Sequence, residues 1–396
     1  MNECQQPEPL PKISVITPSF QQGEFIEATI QSVISQKYPS MEYLVIDGGS
    51  SDNSVAIINK YKYEISYWVS EPDRGQTDAL NKGFRKSTGE IVCWVNSDDI
   101  LLPGALRTAG MFFSKHPEVI MIYGDALVMD RVGKILHTRI PGPFNLRWLI
   151  RTDDIPQSSV FFRRDFLVSI GYLDDRLHFA LDYDFLLKAA LVHDLQYIPE
   201  TLSGFRIYPE TKTAQGKAPF SVEIVYSVDR ILRSFTLSEE QKISLLTTQF
   251  WRLFELLLAL DENKDLLEHL KNDPEVKHIT CRYLEILHPH FHAITRCPFL
   301  LYLPKMRSLM ADAMRDLLYQ YPDQMGLSNE RNLKQLVYRQ NLDLLIFCIR
   351  LWRSQRRMDA LRLFSNIFFR IPGLFLDSQF RKIVWMTLFG STTKKA

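Results

Sequence analysis

No stretch of this 396-residue chain stays apolar for the roughly twenty residues that a bilayer-spanning helix needs, so no membrane span is expected. Neither sign of charge prevails. The 47 Lys and Arg are matched by 46 Asp and Glu, and a formal net charge of +1 argues against a dedicated nucleic-acid binder. Cysteine is sparse: Cys4, Cys93, Cys281, Cys297 and Cys348 fall at no metal-binding spacing, and their odd number and scatter suit reduced thiols in a cytosolic protein. The polar, proline-bearing stretch 1–11 lacks the apolar core of a secretory leader and reads as a disordered tail. No Ser/His/Asp or Cys/His set for covalent catalysis stands out.

What is present gathers at the ends of short apolar runs. Ile91-Val92-Cys93-Trp94-Val95 leads into Asn96-Ser97-Asp98-Asp99. A strand of that kind cannot bury the charges in its own core, so they stand at its carboxyl end and face solvent, a cation or a ligand. Adjacent Asp residues repel and raise one another's pKa unless a cation or donors compensate, and a hard divalent metal bridging to phosphate is the usual resolution. A polar turn capping a helix from Pro103 onward would use the same residues without function. The pattern recurs upstream: 12–16 runs into Thr17-Pro18-Ser19, 43–46 into Asp47-Gly48-Gly49-Ser50, and 65–69 into Glu71-Pro72-Asp73-Arg74. Between these runs lie helical patterns, one carrying Ile26, Ile30, Val33 and Ile34, one following Asp52-Asn53-Ser54, and one over 77–86. Strand and helix in alternation predict right-handed crossovers and a mostly parallel sheet, with ligands beyond the carboxyl ends of its strands.

The segments Val15-Ile16-Thr17-Pro18-Ser19-Phe20, Val45-Ile46-Asp47-Gly48-Gly49-Ser50-Ser51-Asp52, Ser70-Glu71-Pro72-Asp73-Arg74-Gly75 and Asn96-Ser97-Asp98-Asp99 resemble, in order and spacing, the nucleotide-sugar half of the family 2 inverting glycosyltransferases. The resemblance implies an α/β GT-A nucleotide-sugar-binding domain over 12–221 with a mostly parallel central sheet. By the same resemblance Thr17, Pro18, Ser19, Asp47 and Gly48 hold the nucleotide, Asp47 accepting from the base, while Asp73 and Arg74 complete the pocket. Asn96 and Asp98 face the donor, and Asp98 and Asp99 stand where the family carries an Asp-any-Asp motif for Mg or Mn. Asn96 departs from the Asp that often opens this motif: it keeps an acceptor oxygen and loses a charge. Asp47 beside two glycines is also an ordinary turn former.

Acceptor-side segments follow in the family's order: Ile155 to Arg164, Gly171-Tyr172-Leu173-Asp174, and Leu181-Asp182-Tyr183-Asp184. An acidic pair opening an apolar helix favours the helix dipole whatever its function. The resemblance assigns Asp182 as general base, with Leu181 where many relatives have Glu, and Asp184 pointing away from it on a helix. The implied reaction is a single displacement that inverts the anomeric centre, with no covalent intermediate. Gly204-Phe205-Arg206-Ile207-Tyr208-Pro209 and Lys212 resemble a stretch that returns toward the donor, and Arg206 is the candidate phosphate contact there, although a surface Arg covering an aromatic face is nearly as good a reading. Gln76, Asp78 and Asn81 are candidates for the pocket lining.

After about Val222 glycine becomes scarce and helical periodicity takes over, which predicts an all-helical C-terminal domain over 222–396. Its closing stretch mixes Phe368, Phe369, Leu374, Phe375 and Trp385 with Arg370, Arg381 and Lys382. That mixture suits contact with a membrane surface, although ordinary helix packing accounts for it as well. The expectation is therefore a cytoplasmic enzyme, with a peripheral position at the inner face of the membrane as its extension. It would move a hexose-type sugar from a UDP-sugar, or a GDP- or dTDP-sugar, to a glycan or lipid-linked hydroxyl in cell-surface polysaccharide biosynthesis. A processive synthase is disfavoured because Arg147-Trp148 lacks a Gln three residues before the Arg. The competing reading is a catalytically silent nucleotide-sugar binder whose helices recruit partners.

Overall fold

The structure is a computed structural model describing residues 10–146, 149–150, 154–215, 217–262, 274–276 and 278–284. The expected tail, most of the expected C-terminal helical domain and its aromatic-basic closing stretch lie outside the described residues. Two compact units divide the chain, Met1–Thr280 and Cys281–Ala396. The elements below belong to the first.

Strands β1 (Ile13–Ser19), β2 (Met41–Asp47), β3 (Tyr67–Ser70) and β4 (Ile91–Trp94) alternate with helices α1 (Ile26–Ile34), α2 (Ser54–Lys60) and α3 (Gln76–Lys86). They pair in parallel in the order β3-β2-β1-β4, the doubly wound half that strand–helix alternation predicts. Short β5 (Ile100–Leu101), α4 (Ala105–Lys115), β6 (Met121–Met129), β7 (Ile135–Arg139), β8 (Phe161–Arg163), α5 (Arg164–Ser169), α6 (Leu181–Val192) and β9 (Gln196–Arg206) complete a mixed sheet. There β8 runs antiparallel to both β4 and β6, while β9 lies parallel to β6. Antiparallel pairing enters where the links to the next strand no longer make a one-helix crossover.

Both faces of the parallel half are covered, which is why its strands read as continuous apolar runs. Ile13, Val15, Ile91, Cys93 and Val95 pack with Ile26, Ile30 and Val33 of α1 on one face. Burial there pushes the Cys93 thiol far above its ordinary range. On the other face Trp94 meets Phe84 of α3, Phe162 of β8 and Phe185 of α6 edge-on, with centroids 5.8, 5.9 and 5.5 Å away. Trp94 is thus clamped on three sides immediately before the acidic run.

Helices α7 (Lys217–Ser234) and α8 (Glu239–Glu262) follow, and α7 packs on α6. The division expected between 221 and 222 falls inside α7, whereas the first compact unit extends to Thr280.

Candidate active site

Register brings the polar strand ends together. Ser19 is level with Asp47, and Asp47 with Ser70, at the carboxyl edge of β1, β2 and β3. Asp47 is fully buried, and its carboxylate accepts from Gly49 N–H (3.1 Å), Ser50 N–H (2.8 Å) and the hydroxyls of Ser50 and Ser70 (both 2.6 Å). These bonds shape the 48–50 loop. Gly48 lets the Asp73 carboxylate approach this loop, because a Cβ would stand 2.6 Å from Asp73 Oδ2 and displace it. Burial pushes the Asp73 carboxyl up, and the carboxylate accepts from Gly75 N–H at 2.8 Å. Gly75 has φ +114, a conformation that L side chains rarely adopt, where the chain turns into α3.

Two of the expected nucleotide contacts have side chains engaged elsewhere. The Thr17 hydroxyl is fully buried at 3.1 Å from the Tyr43 hydroxyl, beside buried Pro18, so this side chain is engaged inside the sheet rather than presented to the pocket. Exposed Arg74 pairs with Asp175 at 2.7 Å and Asp78 at 3.4 Å, and Asn81 holds the backbone of Leu173 through both of its amide atoms.

The acidic run forms the second cluster. Buried Thr29 of α1 donates to the carbonyls of Ser97 (2.9 Å) and Asp99 (2.6 Å), fixing the loop backbone. Asp99 turns inward: one oxygen accepts from Arg206 N–H (3.2 Å), the other from the Asn96 amide (3.2 Å). Asp98 accepts from the Tyr208 hydroxyl at 2.8 Å, and its carbonyl accepts from the Arg206 guanidinium. Burial drives both carboxyls up, Asp99 furthest because the Asp98 charge adds to it; Tyr208, Arg206 and Lys212 oppose the rise at Asp98. Adjacent like charges, Asp99 buried and Asp98 partly so, are what a bound cation relieves.

A polar bridge joins this cluster to the acceptor side. Gln76 donates to Asn96 Oδ1 (2.7 Å) and accepts from Lys212 Nζ (2.6 Å), and Lys212 also donates to the His178 carbonyl. Burial lowers the Lys212 pKa, while Glu223, Asp182 and Asp98 hold it up, so Lys212 lies within electrostatic reach of both the acidic run and Asp182. Asp182 stands in the first turn of α6, accepting from Tyr183 N–H at 2.9 Å. Its carboxyl is raised by burial against the pull of Lys212 and Arg139. Asp184 faces the other way, bonded to Ser227 and Lys188 at 2.6 Å each.

Several buried polar atoms at this edge have no partner: Ser19 Oγ, Gln22 Oε1 and Arg206 Nε. Native interiors rarely leave such atoms unpaired except where something else binds. They offer a hydroxyl, an acceptor and a cationic donor, a set suited to a polar, anionic ligand. Among the described residues no group of three or more His, Cys, Asp or Glu side chains could hold a metal by itself. Two carboxylates are nonetheless a sufficient protein share for a Mg or Mn that completes its shell with phosphate oxygens and water.

Sequence reasoning passed over Gln22 and Glu223 and quoted Tyr208 and Gln157 only within longer segments. Gln157 donates to the Trp94 carbonyl at 2.9 Å and accepts from Asn96 at 3.3 Å. Glu223, fully buried between Val222 and Ile224, was detectable as a lone charge inside an apolar helical stretch.

The model of the family "Glycosyl transferase family 2" matches residues 14–166. An uncharacterised glycosyltransferase of Mycobacterium tuberculosis is 35% identical over 185 residues, which cover 46% of this chain and 70% of the relative. A PGL/p-HBAD biosynthesis glycosyltransferase of Mycobacterium bovis is 26% identical over 182 residues, 45% of this chain and 69% of the relative. The solved structure of S. aureus TarS 1-349 in complex with UDP-GlcNAc superposes with a TM-score of 0.52 at 18% identity, covering 83% of this chain and 92% of that one. That likeness speaks for the fold, a GT-A-like α/β domain. The family model and the 35% identical relative make this chain a member of glycosyl transferase family 2.

Proposed function

We propose that the protein is an inverting glycosyltransferase that moves a sugar from a nucleotide-diphosphate donor, a UDP-sugar as first choice, to a hydroxyl of a glycan or lipid-linked acceptor. The observation that carries this reading is the convergence of Ser19, Asp47, Asp73, Asn96 and Asp98 on one sheet edge, with Lys212 in electrostatic reach of both Asp98 and Asp182.

In this reading the 48–50 loop and Asp73 receive the nucleoside, the base contact of Asp47 included, with Thr17 and Pro18 flanking it on β1. Arg206 Nε and Ser19 Oγ, both without a protein partner, meet the anionic part of the donor. Asp98 and Asp99 would hold a Mg or Mn ion, and such an ion would supply charge neutralisation for the diphosphate. Asp182 takes the proton of the acceptor hydroxyl as its oxygen bonds to the anomeric carbon. The bond from that carbon to the diphosphate oxygen breaks on the opposite face, and the nucleoside diphosphate leaves with the electron pair. A carboxyl raised by burial is a stronger base at neutral pH than an exposed one. Cell-surface glycan synthesis and a site at the inner membrane face belong to this proposal; no helix among the described residues is long and apolar enough to cross a membrane.

The test is Asp182→Asn. It should retain nucleotide binding while transfer falls by about a hundredfold or more. Transfer at the wild-type rate would remove Asp182 from the mechanism, and nucleotide binding without turnover in the wild type would favour the silent binder.

A further inference from the structure

Helix α6 begins without a cap of its own. Its N-cap residue is Ala180, which has no side chain to accept the orphan N–H groups of a first turn. The turn that leads into it is held from α7 instead. The Glu223 carboxylate, fully buried, takes the backbone N–H groups of His178 (3.0 Å), Phe179 (2.7 Å) and Ala180 (2.8 Å). A buried carboxylate is costly unless donors surround it, and three N–H groups aimed at one carboxylate meet that need.

The turn so held has two outputs. It leads within two residues to Asp182, and it presents the His178 carbonyl to Lys212 Nζ, which also bonds Gln76. Among charged groups, Lys212 is faced by Glu223 from α7, Asp182 from α6 and Asp98 from the loop after β4. A change in the 178–180 turn therefore displaces the proposed base and loosens the lysine together, although Glu223 reaches no reacting atom itself.

We propose that Glu223 is a positioning residue for glycosyl transfer: by clamping the 178–180 turn from α7 it sets Asp182 and Lys212 jointly. The inference rests on Asp182 being the base and on the donor lying beside Asp98. A glutamine here would keep the length and one acceptor oxygen but lose the charge, and would set its amide NH2 against the His178 N–H at the second oxygen position, which weakens the clamp.

The experiment is a double-mutant cycle on UDP affinity by calorimetry with the full chain and Mn, using wild type, Glu223→Gln, Lys212→Met and the double variant. Beside it runs UDP release per UDP-binding site from a panel of UDP-glucose, UDP-galactose and UDP-N-acetylglucosamine, well below each variant's Tm. Glu223→Gln is expected to raise the UDP Kd several-fold, with the double variant no weaker than Lys212→Met alone. Its turnover per site should fall about ten- to a hundredfold. A purely structural cap would lower Tm and leave the Kd and turnover per site at wild-type values; either value unchanged, or additive effects in the cycle, overturns the inference. Should Glu223→Gln not fold, Glu223→Asp, which keeps the charge with a shorter reach, is read by the same criteria. Asp182→Asn is the control: if it turns over like wild type, the base reading fails, whereas an inactive Asp182→Asn with a normal Glu223→Gln sinks the Glu223 inference alone. A wild type that binds no UDP and turns over no UDP-sugar overturns the donor reading and this inference with it.

Discussion

The donor side and the acceptor side of the site are held by different kinds of bond. On the donor side the nucleoside-facing carboxylates are fixed mainly by their own loops, Asp47 by Gly49 and Ser50 and Asp73 by Gly75, while the acidic run adds long ties from Arg206 to Asp99 and from Tyr208 to Asp98. On the acceptor side the ties are long. Lys212 reaches Gln76 across 136 residues, and Glu223 holds Ala180 across 43. Local loops keep their shape whenever the parallel sheet forms, whereas the acceptor side requires α7 and the segment after β9 to dock correctly. Changes on the donor side should therefore remove binding and rate together, and changes on the acceptor side should alter rate more than binding.

The largest effect expected from a donor-side change is that of Asp98→Ala. It should abolish cation-dependent nucleotide binding and lower kcat/KM by about a hundredfold or more, measured by calorimetry and steady-state kinetics. A variant that loses rate but binds nucleotide normally would break the comparison, since Asp98 would then behave as an acceptor-side residue.

A smaller and more diagnostic effect belongs to Lys212→Met. Burial raises the Asp182 carboxyl, and the Lys212 charge is one of the groups holding it down. The sign follows: without Lys212 the Asp182 pKa rises, so the acid limb of the pH–rate profile moves to higher pH. Nucleotide affinity should weaken about tenfold, the loss of one charged contact. An acid limb that stays in place would mean that Lys212 does not couple the two sides.

The smallest effect on the site comes from its opposite edge. Glu42 lies beside the start of β1; burial raises its carboxyl, but the Ser14 hydroxyl, Thr88 and Lys12 outweigh this and bring its pKa to about 2. A depressed carboxylate contributes stability that is present above its unfolded value of about 4.3 and lost as pH falls toward the folded one. Glu42→Gln should lower Tm at neutral pH, the difference closing between about pH 4 and the folded pKa of about 2, with nucleotide binding unchanged. Thermal melts against pH read it directly.

The same contrast governs what the sequence discloses. The parallel half follows from apolar runs ending in Asp47, Asp73 and Asp98, because such runs and their turns are contiguous and the physics acts within a few residues. The antiparallel strands β5 and β8, two and three residues long, carry too little periodicity to be read. Thr17 and Arg74 sit in the right segments, but which way a side chain turns depends on Tyr43 and Asp175, from elsewhere in the chain. Glu223 escaped because its partners are backbone groups in another segment, and a carboxylate among Val222, Ile224 and Val225 reads locally as a helix interruption rather than a cap.

The most direct test of the donor site is thermal stabilisation of the wild-type protein by UDP, GDP and dTDP, each with and without Mn. The arrangement of Asp47, Asp73, Asp98 and Arg206 predicts that one nucleotide raises Tm and that the rise requires the cation. No shift with any nucleotide would contradict a nucleotide-sugar site at the carboxyl edge of β1 to β4.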